Sequence, residues 1–294
     1  MGGWSPEREV SLATGASCVQ ACKAAGYKVT AVDVGRDIAD VLTRLKPDVA
    51  LNVLHGTFGE DGGMQAILEE LSIPYTHSGV HASALAMDKA KSRDAFIAAG
   101  IPVAAGKVVS RFEAIMSPVF EPPFVIKPLA SGSSVGVYIV REGEESPREI
   151  GAADWKHGDN VLVEKYIPGR ELTCAVLGDR ALGVIEVVPD EDFYDYKAKY
   201  SPGGSKHILP APVDAAVYKR VQDVALQAHQ ALGCRGVSRA DFRYDDKTGE
   251  LVCLEVNTQP GMTGTSPVPH TTEHAGLSFP QLVACMINAA PLNR

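Results

Sequence analysis

The chain has 294 residues, 45% of them hydrophobic, enough to bury a substantial core and better suited to two or three small domains than to one. With 28 basic against 36 acidic residues the net charge is -8, and no Lys/Arg run tracks a phosphate backbone, which argues against nucleic acid as a partner. No apolar run reaches the roughly 20 residues that cross a bilayer, and Met1-Gly2-Gly3-Trp4-Ser5 has neither a basic nor an apolar leader region, so a cytoplasmic protein off the membrane is expected.

The first third alternates helix and strand: a helix over 10–25, a strand over 28–34, a helix to 45 and a strand over 49–54, the grammar of a parallel sheet. Gly2-Gly3-Trp4-Ser5 ahead of a helix reads as the turn that follows a strand, so this unit is expected to lack its first strand. A helix over 89–99 leads to Ile101-Pro102, and strands over 123–129, 134–140 and 160–167 make a second, smaller domain. Two apolar strands, 172–177 and 181–188, joined at Gly178-Asp179-Arg180, open a third. Residues 189–212 are polar, aromatic and turn-rich, too long for an idle connection, and are expected to close over a substrate as a loop. A helix over 215–232, strands over 237–244 and 251–256, and a helix over 279–289 complete the chain. The expected division is 1–79, 80–163 and 164–294. The six cysteines lack zinc-site or disulfide spacing and are expected as reduced, mostly buried thiols.

Asp241 on one strand with Glu255 and Asn257 on the next form the strongest chemical signal, because residues spaced by two leave a strand on one face. Two carboxylates and an amide, without sulfur or imidazole, suit Mg²⁺ completed by nucleotide phosphate. Ordinary polar strand ends are the alternative, but Glu255 sits inside the apolar run Leu251-Val252-Cys253-Leu254-Glu255-Val256. The Gly/Ser turn over 130–136 places backbone N–H groups and hydroxyls where they can cover phosphate, and Lys127 stands on the strand before it. A lysine within Phe124-Val125-Ile126-Lys127-Pro128 is costly unless an anion pairs with it, and a nucleotide phosphate would.

In chain order, Glu7-Arg8-Glu9-Val10-Ser11, His55-Gly56 with Gly59-Glu60-Asp61-Gly62, Met87-Asp88-Lys89, Val125-Ile126-Lys127-Pro128, Gly132-Ser133-Ser134-Val135-Gly136, Phe193-Tyr194-Asp195-Tyr196, Lys199-Tyr200, Arg239-Ala240-Asp241 and Glu255-Val256-Asn257-Thr258-Gln259-Pro260-Gly261-Met262-Thr263 resemble the D-alanine:D-alanine ligases. The likeness covers nearly the whole chain. It implies an α/β protein of three domains with the ATP-grasp fold, an ATP-dependent ligase that joins two D-alanines through D-alanyl phosphate for peptidoglycan precursors, and a homodimer in the cytoplasm. For ATP it implies Lys89 and Lys127 at phosphates, Ser133 and Ser134 covering them, Glu164, Lys165 and Ile167 framing adenine, and Glu171 on the ribose. Asp241, Glu255 and Asn257 would hold two Mg²⁺ ions, with Mn²⁺ as an alternative. For the amino acids it implies Glu7 at the first ammonium with His55 nearby, Lys199 and Ser266 at the second carboxylate, and Arg239 with the Gly261 N–H at the developing oxyanion. Tyr200 would reach toward Ser133 and Glu7, and its presence implies an amine rather than a hydroxyl nucleophile.

The sequence departs from the family at its first strand, at Ser131 where a glutamate is usual, and at Pro267 where a leucine is usual. Pro267 removes a backbone N–H beside the second carboxylate position, a loss of about 1 kcal/mol. Two other readings follow from the same residues: an ATP-grasp ligase for another amino acid, and an ATP-binding module that has lost turnover.

Overall fold

The computed structural model describes residues 1–117, 119–132, 135–189 and 205–291. The N-terminal part carries α1 (Arg8–Ala24), α2 (Ile38–Leu45) and α3 (Gly63–Glu70) around a core of Ile38, Leu42, Leu54, Leu68 and Tyr75. The strands expected at 28–34 and 49–54 do not form ladders. Val32 and Val34 exchange backbone hydrogen bonds with Met1, and Ala50 makes an isolated parallel bridge to Tyr75. A ladder needs a run of partners, and a single residue or bridge does not supply one.

α4 (Val80–Met87) leads into α5 (Lys89–Ala98), whose first turn is capped by Asp88 accepting from the N–H groups of Ala90 and Lys91. The smaller sheet is antiparallel in the order β1-β4-β2-β3, built from β1 (Gly106–Ser110), β2 (Phe124–Pro128), β3 (Tyr138–Val140) and β4 (Asn160–Lys165). It buries Val109, Phe124, Ile126 and Val163 against Ala114 of α6 (Arg111–Met116) and Ile150. β1 and α6 had no periodic signal strong enough to anticipate. The expected boundary at 163/164 falls inside β4, where Glu164 pairs with both Gly106 and Val125.

The larger sheet has the order β7-β6-β5-β8-β9 and is also antiparallel. Its strands are β5 (Arg170–Leu177), β6 (Arg180–Pro189), β7 (Ser205–Ile208), β8 (Val237–Tyr244) and β9 (Leu251–Asn257). β7 corrects the reading of 189–212 as uninterrupted loop: residues 205–208 pair with Pro189 through Glu186. β5 lies centrally and is covered on both faces, which explains its nearly continuous apolar run. On one face Leu172, Val176 and Phe242 pack with Phe96 of α5 and with Val221, Ala225 and Ala228 of α7 (Ala215–Ala231). On the other, Ala175 and Val237 meet Val268 of α8 (Pro267–His274), Leu282 of α9 (Phe279–Asn288), and Cys18 of α1. α5 therefore packs on the larger sheet, although it precedes the smaller one in the chain. All six cysteines are free, and four are buried. Burial pushes the thiols of Cys18 and Cys174 up to about 12, so neither ionises near neutrality.

Candidate active site

Arg239 stands opposite Asn257, and Asp241 opposite Glu255, so β8 and β9 present these four side chains on one face. Immediately beyond, a bulge makes Leu254 an extra residue of β9. Asp241 is nearly buried and accepts hydrogen bonds from Arg239 Nε (2.8 Å), Arg239 Nη2 (2.7 Å) and Thr173 Oγ1 (2.6 Å). Glu255 lies 3.1 Å from Lys89 Nζ, and Asn257 Oδ1 accepts the N–H of Gln259 at 2.8 Å. Among the described residues no group of three or more His, Cys, Asp or Glu side chains is gathered for a metal. The donors are instead two carboxylates and an amide. That set fits Mg²⁺, which takes one or two protein carboxylates and fills its remaining positions with water and phosphate oxygen.

Beside this face is a cavity of about 320 Å³ between the two sheets. Its apolar lining comprises Ala104, Val125, Ile139, Ile167 and Leu254, a slot suited to a flat heterocycle. Leu254 shares the face of Val252, two residues before it, and clusters with Ala104 and Ile167; the bulge switches the alternation after it, so that Glu255 and Asn257 also face this side. Lys127 does have the anion that its burial demands, but within the chain: its Nζ donates to Glu164 Oε2 at 2.6 Å, and Arg93 Nη1 lies 3.3 Å from Glu164 Oε1. Lys165 and Ile167 follow along the same wall, and Glu171 lies 3.9 Å from Arg243 Nη1.

A larger cavity of about 760 Å³ opens on the other side of Lys89, Asp241 and Glu255, which line both spaces together with Ser131, Glu171 and Val187. Lys89 Nζ also donates to the Ser131 carbonyl at 2.8 Å, tying the Gly/Ser turn to this wall. Glu7, at the N-terminus of α1, is held by its N–H on Ser5 Oγ (3.2 Å), and Ser5 Oγ donates to the carbonyl of His55 (2.6 Å). Its carboxylate lies over Gly56, where a Cβ would collide with it and where φ is +72°, so glycine is required on two counts. His55 is buried between Thr14 Oγ1 at 3.1 Å from Nε2 and Glu60 Oε1 at 2.9 Å from Nδ1. Gly261 and Ser266 belong to the opposite wall, where Ser266 Oγ accepts the Thr263 N–H at 3.1 Å. Pro267 is the first residue of α8, a position where the fixed proline φ favours the helix. The lost N–H is thus one that helix geometry leaves unused, although it faces the cavity.

The structure brings Glu7, His55, Lys89, Glu171, Arg239, Asp241, Glu255, Asn257, Gly261 and Ser266 to the larger cavity, and Lys127, Glu164, Lys165 and Ile167 to the smaller one. Ser133, Ser134, Lys199 and Tyr200, with the segment 190–204, lie outside the described residues. Thr173, Arg93, Arg243 and the imidazoles of His207 and His270 were not anticipated. Each acts by tertiary contact and carries no local spacing that would mark it.

A family profile described as "D-ala D-ala ligase C-terminus" matches residues 96–288. A D-alanine--D-alanine ligase of Xanthobacter autotrophicus is 61% identical, over 100% of this chain and 97% of its own length. One from Azorhizobium caulinodans is 60% identical over the same shares. Among solved structures, the D-alanine--D-alanine ligase of Bacillus anthracis complexed with ATP superposes with a TM-score of 0.80 at 27% identity, covering 98% of this chain and 94% of that one. The VanG D-Ala:D-Ser ligase of Enterococcus faecalis gives 0.78 at 30% identity, covering 98% and 97%.

Proposed function

Because the chain belongs to the D-alanine–D-alanine ligase family, we propose that it joins two D-alanines to D-alanyl-D-alanine at the expense of ATP. The end-to-end identity of 61% to a ligase of that name carries this reading. In a degenerate ATP-binding module there would be no constraint to keep Arg239, Asp241, Glu255 and Asn257 together on one face, and the D-Ala:D-Ser ligase, the one relative named above that uses another amino acid, is 30% identical against 61% and 60% for the two D-alanine--D-alanine ligases.

In the proposed reaction a carboxylate oxygen of the first D-alanine takes the γ-phosphoryl of ATP and ADP leaves. The amine of the second D-alanine attacks the resulting acyl phosphate, forming the C–N bond and releasing phosphate and a proton. Mg²⁺ on Asp241, Glu255 and Asn257, as two ions, would neutralise phosphoryl charge. Lys89 adds positive charge within the shared wall and Lys127 on the side of the smaller cavity, and Ser133 and Ser134 are assigned to cover the phosphates. The apolar slot receives adenine alongside Glu164, Lys165 and Ile167, with Glu171 on the ribose. Glu7 receives the first ammonium with His55 behind it, while Lys199, Tyr200 and Ser266 attend the second D-alanine. Arg239 is fixed by its two-pronged bond to Asp241, so its charge is preorganised for the oxyanion together with the Gly261 N–H. One such donor is worth about 3 kcal/mol. A cytoplasmic setting, where ATP and peptidoglycan precursors meet, and a homodimeric state complete the proposal.

The test is ADP release with Mg²⁺-ATP and either D-alanine or L-alanine, with the product mass read in parallel. D-alanine-dependent ADP and a dipeptide mass are expected, and ADP release with another acid while D-alanine stays inert would overturn the substrate assignment.

A further inference from the structure

His207 is a cavity-lining residue that none of the assigned roles uses. β7 pairs it with Val187, and Val187 pairs with Glu171, so the three side chains stand in one row on the sheet face that opens into the larger cavity. Its Nε2 is shielded from solvent and has no hydrogen-bond partner among the described residues. A buried imidazole nitrogen left in this state costs free energy unless something completes it. The ring is nonetheless fixed: His270 meets it edge-on, with centroids 5.8 Å apart at 81°. His270 is anchored in turn, its Nε2–H donating to the Gly264 carbonyl at 2.7 Å, within the same loop that carries Gly261 and Ser266.

The charge around this nitrogen selects its ligand. Burial, with His270 and Arg239 nearby, holds the pKa of His207 down to about 4, so the ring is neutral and able to donate one N–H. The wall contributed by the N-terminal part of the chain brings Glu7, Glu9 and Glu60 instead. With that acidic wall assigned to the first D-alanine's ammonium and Arg239 to the oxyanion, an attacking amino acid that turns its amine toward the acyl carbonyl has its carboxylate directed away from the acidic wall, to the side of the imidazole.

Building on the ligase reading, we propose that His207 is a specificity-determining residue for the attacking amino acid, donating from Nε2 to that substrate's carboxylate while His270 holds the ring in place. The contact discriminates acceptors that carry a free carboxylate from those that do not.

The test compares D-alanine with D-alaninamide as acceptor, because the amide has no carboxylate to phosphorylate and so enters only as nucleophile. Preference is read from the two dipeptide products, distinguished by mass. His207→Leu is expected to lower the wild-type preference for D-alanine by roughly tenfold or more, the worth of a hydrogen bond to a charged group. His207→Gln, which keeps an N–H donor, should retain most of it, with half-saturation by ATP unchanged in both. A structural role alone would weaken both acceptors equally and leave the preference intact, and that result would overturn the proposal. If wild-type protein releases no ADP with D-alanine, the ligase reading fails by itself. The contact is then read without turnover, from the ¹⁵N resonance of the His207 ring: a shift with D-alanine and none with D-alaninamide supports it, and equal responses refute it.

Discussion

His77 is the most demanding ionisable group outside the site. It is only 2% exposed, its Nε2 has no partner among the described residues, and its backbone is left-handed at φ +68°. Thr76 Oγ1 lies 3.0 Å from Nδ1, and Gly236 leaves room for its backbone, which a Cβ at that position would crowd. Burial, with His55 and Arg235 nearby, lowers its pKa from 6.5 to about 3. The folded state therefore refuses a proton that the unfolded chain accepts, and stability rises with pH across the window from about 3 to 6.5. The full window is worth about 5 kcal/mol, and between pH 7.5 and 5 the loss from this group is about 2 kcal/mol. For a chain of this length that lowers the melting temperature by about 3 °C. His77→Asn, a residue tolerated at positive φ, carries no such proton. Thermal melts at pH 7.5 and pH 5 should show wild type losing about 3 °C more than the variant. Equal losses in the two proteins would refute the argument, since any packing defect of the variant is present at both pH values and cancels.

Three further outcomes follow from the site. Lys127→Met removes the 2.6 Å partner of Glu164, leaving that buried carboxylate to Arg93 alone, and should raise half-saturation by ATP at least tenfold, an effect of roughly 1.5 kcal/mol or more, in ADP-release kinetics. Thr173→Val deletes the 2.6 Å bond to Asp241 and should cost about 1 kcal/mol in thermal stability while weakening Mg²⁺ activation by roughly tenfold, read as the Mg²⁺ concentration at half-maximal rate. Gly56→Ala forces a Cβ onto the Glu7 carboxylate at a positive φ and should destabilise the protein by about 1–2 kcal/mol. Its kinetic signature is a higher requirement for the first D-alanine with ATP half-saturation unchanged.

The larger sheet was legible because its strands are apolar, bounded by turns and paired mostly in sequence neighbours, and because Asp241, Glu255 and Asn257 interrupt that apolar pattern. The N-terminal strands were not realised as ladders, since a period-two pattern at 28–34 says nothing about whether a partner runs beside it. β7 was hidden by its four-residue length inside a polar stretch. Lys127 was read correctly as needing an anion, but its own chain supplies one across 37 residues of sequence, which no local window contains. Glu255 stands next to Leu254 yet faces the same side, because the bulge between Asp241 and Phe242 switches the alternation there, a shift that sequence spacing alone does not reveal.

The six residues that line both cavities, four of them on one face of the larger sheet and the others Lys89 and Ser131, form the seam where the two spaces meet, and the residues beyond it on each side are separate sets. His207, Ser266 and His270 touch the larger space and have no part in the smaller one. On the proposed assignment, changes at that far end should retune which amino acid attacks without touching the residues that hold ATP.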